Sequence, residues 1–376
     1  MIYLDYAANT PVDKEVLDYY YDISLKYYGN PNSKHILGRE AKRVVDESTK
    51  KIAKLLNVRE DEIIYTSGST ESNNLALKGV AEKYKEKGKH IIISALEHSS
   101  IVASANYLLD QGFDIDILPV KKDGLVDIDE LKRLLRDDTI LVSVTSVDSE
   151  IGLKQPIEEI GKLLKKYPNT YFHTDATGAI GKVDIDFKDV DLVTFTPHKF
   201  YGINGMGVLI KKENVDLVPI INGGRSTTIY RSGTPIVPLI AATAKALDIA
   251  LSKREERFNY VSKLNKKIID HLKKYDIVHI NNTENSIPFT INFSIKGVNS
   301  NDFAKKMDEE GVCISTKTSC SLEKAPSRAV YALTKDKNLS KESLRVSLSH
   351  LTASKEINEF FKIFDKCLNE VINKNC

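Results

Sequence analysis

Cysteine is scarce in this chain. There are four in 376 residues (Cys313, Cys320, Cys367 and Cys376), all in the last sixth of the sequence, and none forms a CxxC pair. That is too sparse for a disulfide framework, and His and Cys never meet at finger spacing, which argues against a structural zinc module. Reactive or buried thiols remain. An excess of one charge is also lacking: 54 basic against 52 acidic residues leave a net +2, so no overall field draws the chain to nucleic acid or to an anionic membrane. No uncharged apolar run approaches roughly 18 residues, and Asp5 interrupts the amino terminus where a secretory segment needs apolar residues. The expected location is the cytosol.

What the sequence does contain is ordinary for a soluble globular protein, 41% apolar and 28% charged. At about 100 to 200 residues per domain, the length favours two domains. From residue 50 to 210, short β-branched runs alternate with segments of helical period, the pattern of βα units on a mostly parallel sheet. Strands are expected at 62–66, 90–94, 114–118, 140–145, 170–174, 191–196 and 206–211, with helices at 70–86, 99–110, 127–135 and 156–166. The fold class is therefore α/β, a seven-stranded mostly parallel sheet. Residues 236–274 read as nearly continuous helix, with Ile240, Ala244, Leu247 and Leu251 on one stripe followed by a charged KREER stretch, and suggest an interdomain connector. Shorter strands at 277–280, 288–294, 312–315 and 343–348, with helices at 300–310 and 354–373, form a smaller α+β arrangement. The expected division is 14–251 for the large domain and 1–13 with 252–376 for the small one.

The segment from Tyr65 to Asn73, YTSGSTESN, lies where a strand gives way to a helix. The amides of Gly68, Ser69 and Thr70 are then unpaired and aimed at whatever occupies the helix amino terminus, an arrangement suited to phosphate. The same residue types are also good helix caps. Asp175 in HTDATG ends one strand and Lys199 in TPHK follows the end of the next, 24 residues later. A carboxylate and an amine at neighbouring strand ends, where open α/β sheets bind ligands, are what pyridoxal phosphate demands: lysine for the Schiff base, aspartate to keep the pyridine nitrogen protonated.

The strings LDYAANTPV, TSGSTESNNLA, EH at 97–98, EIG at 150–152, HTDATGAIGK, HKFYGINGMGVL, RSGTP and LRVSL resemble, in order and spacing, the NifS/IscS-like cysteine desulfurases of the class V aminotransferase group. The resemblance spans nearly the whole chain. It implies the fold type I of pyridoxal phosphate enzymes, with Lys199 carrying the cofactor, Asp175 at its pyridinium, and His98 stacked on the ring and shuttling a proton. It implies phosphate contacts from Ser69, Thr70, Thr196 and His198, and from Thr234 of a second subunit, hence a homodimer. Arg345 takes the substrate carboxylate through its bidentate fork.

The resemblance further implies that L-cysteine is the substrate and that a thiolate attacks its sulfur, leaving alanine and a persulfide for an acceptor protein of the iron–sulfur scaffold or tRNA-thiolation type. Cys320 is the expected nucleophile: it lies in a polar segment between a strand and a helix, near Lys317 and Lys324, which favour the thiolate. Cys313, in the alternation VCI, reads as a buried strand residue. Several positions depart from the family pattern. Gly178 stands where a glutamine is usual, Asp148-Ser149 replaces an Asn-Asn pair that helps hold the substrate carboxylate, Gly223-Gly-Arg-Ser-Thr227 replaces a GGGxE stretch, and His350 replaces an arginine. Weaker carboxylate binding is expected, with Ser149 offering only a hydroxyl beside a negative charge. Two other readings stay open: a related lyase or aminotransferase acting on another small amino acid, and a weakly active paralogue serving as a sulfur relay or scaffold.

Overall fold

In the computed structural model, which describes residues 1–316 and 326–375, buried strand residues alternate between two apolar layers. The elements of the amino-terminal part are β1 Ile2–Tyr3, α1 Lys14–Lys26, α2 Ile36–Leu56, β2 Ile63–Thr66, α3 Ser69–Tyr84, β3 His90–Ser94, α4 Ser99–Asp110 and β4 Asp114–Leu118. Then follow α5 Ile128–Leu134, β5 Thr139–Ser143, α6 Ile157–Leu164, β6 Tyr171–Asp175, β7 Leu192–Phe195, β8 Gly207–Lys211, α7 Val237–Ser252 and α8 Arg254–Leu272. The chain closes with β9 Val278–Ile280, β10 Thr290–Ile295, α9 Ser300–Glu309, β11 Val312–Cys313, α10 Arg328–Thr334, α11 Lys337–Lys341, β12 Ser343–Ser347 and α12 Ser354–Asn375.

Strands β2 to β8 form one seven-stranded sheet in the order β2-β8-β7-β6-β5-β3-β4, in which only β8 runs antiparallel to its neighbours. The period of two sends Ile63, Tyr65, Ile92 and Val142 to a layer shared with α1, α2, α6 and α7. It sends Ile64, Ile91, Ile93 and Leu141 to the layer of α3 and α4. Helices thus cover both faces, and the expected α/β architecture with seven mostly parallel strands is what the chain forms. A third apolar cluster holds Ile2 and Leu4 together with Val261, Phe293, Val346 and Phe364. It surrounds the antiparallel sheet β12-β10-β9, while β1 pairs in parallel with β11.

Two sequence expectations are corrected. The nearly continuous helix 236–274 is two helices, broken at Lys253 (φ −102°, ψ 8°). The first, α7, is no connector: Val237, Ile240, Ala241, Ala244 and Leu247 are buried in the large layer against α1 and α2, because it is apolar around most of its circumference rather than on one stripe. The strand expected at 312–315 is two residues long, and Ser315 instead forms an isolated bridge to Arg345. Helices α1 and α2, whose first amides are capped by the side chains of Asp13 and His35, precede most of the alternating βα segment. No described helix is long and apolar enough to cross a membrane.

Candidate functional site

The strand ends β3, β5, β6 and β7 open onto a cavity of about 290 Å³. Helix α3 starts at its rim. Its cap residue Gly68 contributes no side-chain bond, so the first amides of a 16-residue helix remain available beside Ser69 and Thr70, both of which line the cavity. Partial positive charge at this end suits an anion.

Asp175 closes β6 and is buried. Its Oδ1 accepts from the Thr177 amide at 2.9 Å and its Oδ2 from Asn73 Nδ2 at 2.8 Å. The other hydrogen of the same Asn73 amide goes to Ser100 Oγ at 2.9 Å. Ser100 in turn meets His98 Nδ1 twice, through its hydroxyl at 2.9 Å and its backbone amide at 3.2 Å. Because that amide only donates, Nδ1 is the accepting nitrogen and the ring proton sits on Nε2. Burial holds the His98 imidazole below its usual range, against the pull of the Asp175 charge, so the ring is neutral.

Lys199 ends a short turn of 3-10 helix, Pro197–Lys199, that follows β7. Its ammonium donates to the carbonyls of Ala7 at 2.8 Å and Ala8 at 2.6 Å, which brings the amino-terminal segment over the site. Two residues on, Tyr201 adopts φ 69°, an uncommon conformation for a side-chain-bearing residue. Thr196 is buried below the turn, where its hydroxyl donates to the Met206 carbonyl and contacts His198 Nδ1 at 2.9 Å; His198 itself lines the cavity.

Arg345, 1% exposed on β12, donates to Asp5 Oδ1 and to the Ser149 carbonyl, each at 2.8 Å, and still borders the cavity. Its Nε has no partner among the described residues. Asp148 is not the free negative charge expected beside the substrate. Its Oδ1 accepts from the amides of Glu150 and Ile151 at 2.8 and 3.1 Å and its Oδ2 from Leu153 at 2.9 Å, so the carboxylate organises the turn 148–153. A Cβ on Gly178 would lie 2.4 Å from the Val147 carbonyl oxygen, so the glycine is a consequence of a close backbone approach as well as an absent amide.

Of the residues singled out in the sequence, Ser69, Thr70, His98, Ser149, Asp175, His198, Lys199 and Arg345 line one cavity, as do two of the departures, Asp148 and Gly178. Thr196 supports it from beneath. Thr234 is exposed and does not line it. Cys320 lies outside the described residues. His350 packs edge-on against the Tyr201 ring with centroids 4.6 Å apart and does not border the cavity, so that departure falls behind the lysine turn rather than on the substrate side.

Sequence reasoning missed four residues of the site. Lys182 lines the cavity, and burial with repulsion from Lys199 and Arg345 pushes its amine down to about 7. Gly181 at φ 75° turns the chain just before it. Glu97 is buried behind His98, accepting from Ser94 Oγ and the Thr145 amide at 2.7 Å each, and burial pushes its carboxyl up to about 8. Asp5 and Asn73 lie within the motifs LDYAANTPV and TSGSTESNNLA; the signal for Asn73 was an amide on the helix face shared with Leu77 and Val80, where a polar group needs a partner.

The residues present suit pyridoxal phosphate. The open helix end matches a phosphate, the Lys199 amine a carbonyl, and Asp175 a protonated ring nitrogen; the buried Thr177 hydroxyl on the cavity wall has no partner among the described residues. Comparison with known proteins agrees. The class-V aminotransferase family matches residues 2–360. The chain is 37% identical to the cysteine desulfurase IscS of Dictyoglomus turgidum over 98% of this chain and 95% of that one. It is 35% identical to the cysteine desulfurase IscS of Methanosarcina thermophila over 99% of this chain and 93% of that one. A solved NifS-like protein superposes with a TM-score of 0.92 at 32% identity, covering 98% of this chain and 99% of that one.

Proposed function

The chain belongs to the class-V aminotransferase family, and on that footing we propose that it is a pyridoxal-phosphate-dependent cysteine desulfurase. The observation that carries the reading is the convergence of the Lys199 amine and the Asp175 carboxylate, from separate strand ends, on one cavity that also receives the start of α3. Bound pyridoxal phosphate supplies an electrophilic carbonyl and a ring that takes up the electrons left when a substrate loses its α-proton. Ser69, Thr70 and His198 would hold its phosphate end, with Thr196 supporting His198 from beneath through its hydroxyl. Asp175 keeps the ring nitrogen protonated. Lys199 is the amine that would hold the cofactor carbonyl and the base that would take the α-proton from L-cysteine. Neutral His98, carrying its proton on Nε2, faces the reacting groups as a proton donor.

Arg345 receives the substrate carboxylate, held in place by Asp5 and the Ser149 carbonyl. The Cys320 thiolate attacks the substrate sulfur: the S–S bond forms as the carbon–sulfur bond breaks, so L-cysteine and one protein thiol become L-alanine and one protein persulfide. A second thiol exchange passes the sulfur to an acceptor protein, of the iron–sulfur scaffold or tRNA-thiolation type.

The active form in this reading is a homodimer in the cytosol. Leu17, Tyr21 and Leu25, four residues apart on α1, are 50, 62 and 63% exposed, and this apolar stripe, not the buried α7, is the surface offered for a second subunit. In this reading Thr234, exposed and not lining its own cavity, contacts the partner's phosphate. The division into 14–251 and 1–13 with 252–376 belongs to the same proposal, supported by an apolar cluster that joins residues 2 and 4 mainly to residues 261–368, with Val147 and Ala179 of the large part packed onto it. Product analysis tests the function: L-cysteine with a reductant should give alanine and sulfide in equal amounts, whereas a keto acid without sulfide would indicate an aminotransferase.

A further inference from the structure

Asn73 is an asparagine inside a helix, fully buried on the face that carries Leu77 and Val80. Asparagine is a poor helix former, and a buried amide is costly unless all its bonds are made. Here they are not: its Oδ1 has no partner among the described residues. Both hydrogens of Nδ2, by contrast, are spent, one on Asp175 Oδ2 at 2.8 Å and one on Ser100 Oγ at 2.9 Å. With its oxygen filled by that bond, the Ser100 hydroxyl directs its own hydrogen to His98 Nδ1 at 2.9 Å. A side chain that leaves its acceptor unmet in order to donate twice is placed for what it donates to.

We propose that Asn73 is a positioning residue that couples the two sides of the cofactor site, fixing the orientation of the Asp175 carboxylate and, through the Ser100 hydroxyl, a hydrogen bond that holds the His98 ring at Nδ1. The proposal rests on the roles given to Asp175 and His98 above and adds the link between them. One amide nitrogen thereby sets two groups. Its donation to Oδ2, together with that of the Thr177 amide to Oδ1 at 2.9 Å, fixes the plane of the carboxylate and leaves one acceptor site on each oxygen. Its donation to Ser100 stops that hydroxyl from turning its hydrogen elsewhere, so His98 Nδ1 keeps a second hydrogen bond beside that of the Ser100 backbone amide, which fixes the tautomer.

The variants Asn73→Ala and Ser100→Ala separate the two arms. In the cofactor-loaded protein, nitrogen-15 NMR of the histidines, with the His98 signal identified by its loss in His98→Gln, should show Nε2-protonated His98 in all three proteins, with its Nδ1 resonance displaced from the parent position in both variants. The visible absorption band of the cofactor should shift in Asn73→Ala alone, since only that variant touches Asp175. Turnover should fall on the order of 10- to 100-fold in Asn73→Ala with KM for L-cysteine nearly unchanged. A folded Asn73→Ala protein whose His98 signal and cofactor band both match the parent would overturn the link. If the protein proves not to be a desulfurase, sulfide is absent from the parent too, while the NMR and absorption changes still report on Asn73. Should Asn73→Ala not fold, Ser100→Ala alone must displace the His98 Nδ1 resonance and spare the band, or the proposal fails.

Discussion

Asp5 and Arg345, 340 residues apart, meet in an ion pair of 2.8 Å that joins the amino-terminal segment to the substrate-facing strand. Arg345 is almost wholly buried, so removal of its one described carboxylate partner leaves a charge without compensation. Asp5→Asn should therefore lower stability by about 3 kcal/mol, read as a fall in the urea midpoint. Saturating L-alanine, whose carboxylate gives Arg345 a new partner, should restore more of the midpoint in the variant than in the parent. An unchanged midpoint would mean that the pair is incidental.

Gly178 offers a test of whether the missing glutamine is a loss or an accommodation. Any side chain there would start with its Cβ 2.4 Å from the Val147 carbonyl oxygen, so Gly178→Gln must push the backbone that continues β5 away from the end of β6. The expected result is a loss of about 1–3 kcal/mol and no gain in turnover. A faster enzyme of unchanged stability would show that the backbone yields there at little cost.

Histidine burial makes a signed prediction about pH. Burial and the nearby Arg257 guanidinium push His350 down to about 4 from 6.5. Between those values the unfolded chain binds the proton and the folded chain does not, so this residue's contribution is present above pH 6.5 and is lost as pH falls toward 4. His350→Phe keeps an aromatic edge against Tyr201 and removes the titration. Its loss of stability between about pH 7.5 and about pH 5 should be smaller than the parent's by about 1–2 kcal/mol, measured by urea unfolding at both values.

Subunit exchange checks the role given to Thr234. Lys199→Ala should have no turnover, and Thr234→Arg should bind cofactor at least about tenfold more weakly through lost phosphate contact and repulsive bulk. If Thr234 serves the partner's site, mixed dimers contain one site with both residues intact, and activity should reappear on mixing. Mixtures no more active than the sum of their parts would place Thr234 in its own subunit's site or outside any.

Much of this was readable in the residues because local pattern and tertiary role coincide. The β-branched runs that became β3 and β4 are buried or paired along their whole length, so their bounds match the sequence reading. Lys199 and Asp175 stand at strand ends, where side chains meet a ligand whatever the packing behind them. The misreadings arose where three-dimensional neighbours decide. Whether α7 is a connector depends on α1 and α2, more than 180 residues away in sequence. Asp148 looked like a charge on the substrate, but three amides of its own turn claim it. Lys182 closes the string HTDATGAIGK, but its residue type alone gives it no role there; the closure of the cavity around Lys199 and Arg345 does so.

The most direct test of the central claim is the mass of the protein after a single turnover. The cofactor-loaded chain, mixed with L-cysteine without a reductant and digested under acid, should yield alanine and a one-sulfur mass increase on the peptide that holds Cys320, with neither product from Lys199→Ala and no sulfur on that peptide in Cys320→Ser. Alanine formed while the Cys320 peptide keeps its original mass, or a keto acid in place of alanine, would contradict the account.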